Sequence, residues 1–396
     1  MFCPFAAGYF LSFFFRNVNA VISRDLAREF DLSPANLGFL TSMYMLAFAA
    51  FQLPLGVLLD RFGPRRVVAA LMCVTAAGAL VFALARDFTM LSVGRALIGL
   101  GVSAGLMGAI KAFTLWFPLS RLATLNGLYL AVGGIGGLSA TAPAEALLGP
   151  FGWRALFMGL AAASLLVAVL VFAVVPERNL PSRGETLGQQ FRSFGRIFSC
   201  VPFWRIAAVL VLTHSTYQAL QGLWLAPWLY DVAGMDRSEV AAHLFITAVC
   251  YVAGSVIFGI SGDRLARAGI SRMTTYKVGL AICLGAFLLL TAGVDTGLWA
   301  ILAAYGFGTI AGALAYPLIT ALFPPEMTGR VNTASNVLMF ACSFAFQWGI
   351  GALLRLYPET ASGGYAPAGY TAAFLLLAAV QLAAYGWLLP MRERHL

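Results

Sequence analysis

Charged residues are scarce in this chain of 396 residues: Asp, Glu, Lys and Arg make up 10% of it, whereas hydrophobic residues make up 61%. A soluble protein cannot bury so large an apolar fraction, so the composition excludes the soluble classes and indicates an integral membrane protein. Long apolar runs recur along the chain, each near the ~20 residues with which a helix crosses ~30 Å of hydrocarbon. The runs are continuously apolar rather than alternating, which favours helices over a β-barrel.

Residues that bind metals or carry out covalent catalysis are also few. The six cysteines are scattered, with no CxxC or other metal-ligand spacing, and there are only three histidines. The glycine-rich stretch GRALIGLGVSAG, Gly94–Gly105, lies within an apolar run and has no strand before it, which excludes a nucleotide-binding fingerprint. We therefore expect neither an enzyme activity nor a cofactor or metal.

Positive charge is distributed unevenly over twelve predicted spans. The spans cover residues 4–24, 35–59, 67–85, 88–117, 122–148, 153–175, 203–230, 238–261, 274–294, 297–323, 329–354 and 369–390. Sixteen Lys and Arg residues fall on the side of the even-numbered loops and the C-terminal tail, and six fall on the opposite side. Since positive loops stay inside, we predict a multi-pass protein of the cytoplasmic (inner) membrane with both termini in the cytoplasm. The net charge of +9 then comes from loop cations that face anionic lipid, and we expect no nucleic acid partner.

The longest break between spans, residues 176–202, separates six spans from six. We predict an N-terminal six-helix bundle at 1–175 and a C-terminal six-helix bundle at 203–396. Apolar side chains recur in the linker at helical spacing, at Leu187, Phe191, Phe194 and Phe198. This spacing predicts a cytoplasmic linker with an amphipathic helix on the inner leaflet, either a simple connection or a regulatory contact.

One loop motif occurs twice. GVLLDRFGPRR, Gly56–Arg66, follows span 2, and GISGDRLARAGISR, Gly259–Arg272, follows span 8 at an offset of 203 residues. A motif that recurs at the same place in both halves indicates a duplicated six-helix unit.

On these features the chain resembles the major facilitator superfamily. The six-plus-six spans, the central linker and the loop motif carry the resemblance, and GRALIGLG resembles the family's span-4 pattern. The Gly-Pro pattern that many drug/proton antiporters have in span 5 is missing. The resemblance implies an all-α integral membrane fold, with 12 transmembrane helices in two pseudo-symmetric six-helix bundles, and secondary transport by alternating access.

The resemblance also implies that the loop motif latches the two halves on the inner side; the alternative is a simple topology anchor. The gating motif and its second copy comprise Gly56, Asp60, Arg61, Gly63, Arg65, Asp263 and Arg264.

Arg16 interrupts the apolar run of span 1 near its middle. An arginine at that depth costs about 2.5–3.5 kcal/mol even on lenient insertion scales. Ser12, Arg16, Asn19 and Ser23 are spaced 4, 3 and 4 apart, so they share one helical face. Turning this face to a water-filled cavity is the cheaper arrangement; alternatively Arg16 holds a neighbouring helix through backbone carbonyls.

Spans 7 and 10 carry further polar and aromatic stripes. His214, Gln218 and Gln221 are spaced 4 and 3 apart in span 7, and Tyr305 and Tyr316 share a face of span 10. The resemblance places spans 1, 4, 7 and 10 along the central pathway. The predicted substrate-binding set is Arg16, Asn19, Gln218, Gln221, Trp224, Tyr305 and Tyr316, with the aromatic members as apolar walls.

All sixteen acidic residues fall in loops or at span ends, whereas Arg16, Arg95 and Lys111 lie inside spans. A buried cation without an acidic neighbour is stabilised by carbonyls, by water or by an anion that comes and goes. Arginine suits a carboxylate or phosphate because its fork bonds bidentately. The charges therefore predict an anionic substrate.

The coupling candidates are His214, Arg95 and Lys111. His214 is the deep group that titrates near neutral pH, unless it only forms hydrogen bonds. The resemblance gives Arg95 a structural or coupling role. Proton coupling, exchange and protonation of the substrate itself all stay open.

The combined prediction is a secondary transporter, acting as a monomer in the lipid bilayer, for a small organic anion such as a carboxylate metabolite or sugar acid. One alternative is efflux of drugs or other amphipathic compounds. The alternative from another class is a non-transporting membrane sensor, for which the short loops and tails offer no partner-binding domain.

Overall fold

The computed structural model describes residues 1–176, 194–294, 296–324, 327–358, 360 and 364–391, and over these residues the chain is helical with no strand. The first half contains α1 (Phe2–Glu29), α2 (Pro34–Ala83), α3 (Phe88–Val102), α4 (Gly105–Trp116), α5 (Leu119–Ser139) and α6 (Ala142–Val174). The second half contains α7 (Val201–Ala219), a π-helical turn (Leu220–Trp224), α8 (Leu225–Asp231), α9 (Arg237–Arg267), α10 (Arg272–Thr291), α11 (Leu298–Thr309), a 3₁₀ turn (Ile310–Leu314), α12 (Ala315–Thr320), α13 (Thr328–Leu354) and α14 (Pro367–Leu388). The predicted spans are confirmed as helices.

Two long helices are each divided by a glycine in the left-handed region. Gly63 has a φ of 78° within α2, and Gly152 has a φ of 72° within α6. Only glycine adopts such a φ without strain. Pro64, next after Gly63, starts the following helical segment with a preset φ and no N–H to satisfy. These corners separate span 2 from span 3 and span 5 from span 6.

Four spans are interrupted in other ways. Span 4 is broken between α3 and α4, span 5 is broken between α5 and α6, span 7 contains the π-helical turn, and span 10 contains the 3₁₀ turn. Such departures from α geometry inside a helix are frequent at functional sites. Spans 4, 7 and 10 are three of the four that the family resemblance is expected to place along the central pathway.

The chain forms two compact units, one of residues 1–32 and 39–190 and the other of residues 33–38 and 191–396. The predicted linker lies mostly outside the described residues, Leu187 and Phe191 included. Residues 194–198 are helical, and the Trp204 indole N–H donates to the backbone oxygen of Phe198 at 2.8 Å.

Equivalent glycines pack the helices of the two units. A Cβ on Gly99 would lie 2.2 Å from the Tyr44 backbone oxygen, and one on Gly306 would lie 2.3 Å from the Thr247 backbone oxygen. Gly306 follows Gly99 by 207 positions, and Thr247 follows Tyr44 by 203. Both units therefore bring span 4 or span 10 against span 2 or span 8 through the same kind of small-residue contact that membrane helices use. The predicted pseudo-symmetry is confirmed in this packing.

Large apolar side chains cover the outer faces of both units. Leu166 in α6 is 58% exposed, and Leu376 in α14 is likewise 58% exposed. Surfaces of this kind are rare on soluble monomers and fit contact with lipid.

Candidate functional site

Arg16 lies near the middle of α1 and is half-buried. Its guanidinium carbon is 4.5 Å from the centre of the Phe13 ring and 5.8 Å from the centre of the Phe48 ring. Each ring face attracts the cation by about 0.5–2 kcal/mol, which offsets part of the cost of the charge at this depth. The positive charge thus lies beside aromatic surface within the first unit.

The rest of the polar stripe on α1 packs against α2. The Asn19 amide nitrogen donates to the Thr41 hydroxyl at 3.2 Å, and the Tyr44 hydroxyl donates to the Ser12 backbone oxygen at 3.0 Å. Asn19 is fully buried, and its side-chain oxygen has no hydrogen-bond partner among the described residues. The stripe is therefore partly a helix-packing surface, with Asn19 keeping one unused acceptor.

Arg95 is fully buried in α3 and joins it to α1. One terminal nitrogen donates to the Phe15 backbone oxygen at 2.9 Å, and the guanidinium carbon lies 5.2 Å from the centre of the Tyr44 ring. Nε and the other terminal nitrogen find no hydrogen-bond partner within the described part of the chain. A positive charge therefore lies beside the carbonyl that precedes Arg16.

Lys111 requires a correction, because the inference that it lacks an acidic neighbour is wrong. Its ammonium group contacts the Asp60 carboxylate directly, with the two side chains 23% and 43% exposed. The break between α3 and α4 starts a new helix at Gly105, so Arg95 and Lys111 lie on different helices. The carboxylate of Asp60, a residue of the loop motif, is thus bound by this lysine.

An aromatic cluster surrounds His214 in the second unit. Its Nε2 lies 3.1 Å from the Tyr251 hydroxyl. Tyr217 stacks on Tyr251 with ring centres 4.7 Å apart, and its ring lies 5.8 Å from that of Tyr305. Gly312 allows span 10 to pack closely against the His214 ring, since a Cβ at this position would lie 2.9 Å from His214 Nδ1. Tyr251 was not predicted from the sequence, because a tyrosine inside an apolar run of span 8 carries no signal of its own.

Spans 7 and 11 of the second unit carry buried amide groups. The Gln221 nitrogen donates to the Leu244 backbone oxygen at 3.0 Å. The side-chain oxygens of Gln218 and Gln221, both amide atoms of Gln347 and the Tyr305 hydroxyl are buried without a hydrogen-bond partner in the described residues. Leaving such groups unbonded costs about 1–3 kcal/mol each, so they call for a ligand or water. Gln347, in span 11, was absent from the predicted binding set.

The predicted aromatic walls differ in their environments. Trp224 is fully buried, and its indole N–H donates to the Gln347 backbone oxygen at 2.7 Å. Tyr316 is half-buried, and its hydroxyl donates to the Asn336 side-chain oxygen at 2.7 Å. Trp224 therefore holds span 7 to span 11 rather than presenting an open face.

The loop motif after span 2 is built around Gly63. Arg65 Nε donates to the Phe172 backbone oxygen at 2.8 Å, and its guanidinium stacks over the Phe172 ring at 4.5 Å. Arg61 lies 5.2 Å from the centre of the exposed Phe62 ring, and Gly56 is within the helical part of α2. In the second copy, Asp263 and Arg264 belong to α9, but their side chains lie outside the described structure.

The family model described as Major Facilitator Superfamily matches residues 5–347. A protein of Cupriavidus necator named as a probable sulfoacetate transporter is 23% identical over 90% of this chain and 79% of its own length. One of Escherichia coli K12 named as a probable L-galactonate transporter is 24% identical over 83% of this chain and 77% of its own length. A probable nitrate/nitrite antiporter of Thermus thermophilus is 26% identical over 69% of this chain and 62% of its own length.

Solved structures share the fold. A bacterial homologue of the human lysosomal transporter Spinster, solved in an inward-facing and unoccupied conformation, superposes with a TM-score of 0.71 at 18% identity. The superposition covers 98% of this chain and 94% of that one.

Proposed function

Since the chain belongs to the Major Facilitator Superfamily, we propose that it is a secondary transporter that moves a small organic anion, a carboxylate-type metabolite, across the cytoplasmic membrane by alternating access. The family and the transporter relatives identify a membrane transporter rather than an enzyme.

The observation that carries the proposal is the half-buried guanidinium of Arg16 against the Phe13 and Phe48 rings. The sequence places no Asp or Glu in the interior of any span. A carboxylate that arrives and leaves would pair with the fork of Arg16 in a weakly solvated setting, where charge-assisted hydrogen bonds are strong. Two relatives support the substrate class, because sulfoacetate and galactonate in their names are both organic anions.

The second unit favours an anion with hydroxyl groups. Gln218, Gln221 and Tyr305 each keep a buried polar atom without a hydrogen-bond partner in the described chain. Amide oxygens accept hydrogen bonds from hydroxyls, and the tyrosine hydroxyl both donates and accepts. These groups suit a hydroxy acid or sugar acid better than nitrate. Nitrate is further disfavoured because spans 2 and 8 contain no arginine, which the resemblance to nitrate transporters would require.

The test is transport by the full chain reconstituted in liposomes. The panel comprises sugar acids, short dicarboxylates, a short sulfonate and amphipathic organic cations. We expect saturable transport of one or more of the organic anions. Arg16→Gln should lower kcat/KM about 10- to 100-fold, the loss of one hydrogen-bonded ionic contact. Arg28→Gln, at an exposed position in the last turn of the same helix, should leave transport unchanged.

Three results would contradict the proposal. Arg16→Gln with the wild-type kcat/KM would remove the anion contact. Preference for the amphipathic cations would indicate drug efflux, and no movement of any solute would favour a membrane sensor.

A further inference from the structure

Gln347 lies in α13 with its amide group buried and unused. The residue is 1% exposed, and neither its amide nitrogen nor its amide oxygen has a hydrogen-bond partner within the described part of the chain. Two buried serines of the same helix differ from it, because Ser335 and Ser343 each donate to a backbone oxygen one turn earlier. The missing bonds are therefore a property of Gln347 and not of α13 as a whole.

The backbone at Gln347 is held beside the π-helical turn of span 7. Its carbonyl oxygen accepts from the Trp224 indole N–H at 2.7 Å, and Trp224 is itself fully buried. Gln221 belongs to the same turn, where its nitrogen donates to the Leu244 oxygen and its own amide oxygen has no partner in the described residues. The contacts therefore link Gln347 to the turn that carries Gln221, a residue that the sequence predicts to bind substrate.

A buried amide without hydrogen bonds destabilises the folded chain. It loses its bonds to water on burial, and a hydrocarbon side chain of similar volume would avoid that loss. Residues that bind a ligand commonly lower the stability of the chain in this way, because their polar atoms find partners only when the ligand is present. Gln347 thus has the properties of a ligand contact, with a position already fixed by Trp224.

The chemistry of the amide indicates which group it binds. Its nitrogen only donates hydrogen bonds and its oxygen only accepts them, whereas a hydroxyl does both. Two hydroxyls on neighbouring carbons satisfy both atoms together, since one accepts from the nitrogen while the other donates to the oxygen. A carboxylate offers acceptors alone and leaves the amide oxygen without a partner.

We propose that Gln347 binds two neighbouring hydroxyls of the transported anion and so determines the specificity of the carrier for sugar acids. This inference rests on the proposed function and narrows its substrate from organic anions in general to polyhydroxylated ones.

The test compares Gln347→Met with the wild type. The sugar acids are gluconate, galactonate and glucuronate, and the comparison anions are lactate and malate, whose single hydroxyl has no neighbour. Selectivity is the ratio of kcat/KM in liposomes for the best sugar acid to that for the better comparison anion. We expect it to fall about 100-fold in Gln347→Met, since two hydrogen bonds to the substrate are lost.

Thermal unfolding of the purified full chain without substrate gives a second readout. Gln347→Met should unfold at the wild-type temperature or above it, because methionine removes the unpartnered amide at similar volume. A variant that unfolds earlier, or does not fold, would show that the amide stabilises the fold and would overturn the proposal.

Gln381→Met is the matched control. Gln381 in α14 is also 1% exposed, but its nitrogen donates to the Thr216 hydroxyl at 3.1 Å. This variant should unfold earlier than the wild type and keep the wild-type selectivity. An equal loss of selectivity in Gln381→Met would indicate a general disturbance of the second unit and would overturn the proposal.

Transport by the wild type separates this inference from the proposed function. Transport of lactate or malate without any sugar acid would overturn the role of Gln347 and leave the organic-anion carrier standing, as would unchanged selectivity in Gln347→Met. A wild type that moves none of these anions would overturn both.

Discussion

Two cations of the first unit are stabilised by different means. Arg95 gives one N–H to the Phe15 oxygen and lies beside the Tyr44 ring, while its remaining nitrogens have no partner in the described residues. Lys111 meets the carboxylate of Asp60. Because a buried charge without compensation costs several kcal/mol, Arg95 is the less well compensated of the two.

The Lys111–Asp60 pair predicts how the transport rate responds when either charge is removed. Both side chains are partly exposed, at 23% and 43%, so the pair contributes only ~1 kcal/mol. We expect Asp60→Asn and Lys111→Gln each to lower the transport rate about 5-fold at normal membrane expression. The double variant should be no slower than either single one, since each single change leaves the other charge uncompensated. A double-mutant cycle on initial transport rates measures this coupling.

The control for that cycle is Arg121→Gln, an exposed arginine near the start of α5. It should add its own small effect independently to each variant. Losses that simply multiply in the Asp60/Lys111 double variant would show that the two groups act separately.

The sequence predicts helices well where an apolar run coincides with a strong break signal. Gly63 followed by Pro64 marks the corner between spans 2 and 3, and the structure turns there. The contact of Lys111 with Asp60 could not be predicted, because it joins residues 51 positions apart and depends on the break after α3. The π-helical turn at Leu220–Trp224 is likewise a product of tertiary packing, since Gln221 and Trp224 bond to different helices.

The packing of span 4 on span 2, and of span 10 on span 8, gives an element-scale prediction. A methyl group at Gly99 or Gly306 would press on a backbone oxygen, which a rotamer change cannot relieve. Overpacking of this kind costs about 1–3 kcal/mol. Gly99→Ala and Gly306→Ala should therefore both lower the thermal unfolding temperature in detergent, and by similar amounts because their contacts are equivalent.

Gly159→Ala is the matched control, because a Cβ at this helical position of α6 would meet no atom within 4 Å. It should leave the unfolding temperature unchanged or raise it slightly, since alanine is the better helix former. An equal loss in Gly159→Ala would attribute the effect to alanine itself rather than to helix contact.

On the scale of the whole molecule, the two units share an architecture but not a chemistry. The first unit carries Arg16 and Arg95 inside its spans, whereas the second carries His214 within a tyrosine cluster. Recognition of a charged substrate and response to pH should therefore be separable by mutation.

This division predicts distinct pH profiles of transport in liposomes. Histidine changes charge between about pH 5 and 8, so the wild-type rate should vary over that range. His214 lies beside Tyr251, on which Tyr217 stacks, and His214→Gln should flatten the profile. Arg16→Gln should lower the rate at every pH without changing the shape of the profile, because its charge is constant.

His243→Gln provides the comparison for this pH experiment. His243 is also buried in the second unit, but it stacks on Trp299 with ring centres 3.8 Å apart and its Nδ1 lies 2.8 Å from the Glu239 backbone oxygen. The variant should keep the wild-type profile, since this ring lies outside the tyrosine cluster. A flat profile in His243→Gln, together with a wild-type profile in His214→Gln, would contradict the prediction. The pH dependence would then be assigned to His243 rather than to His214.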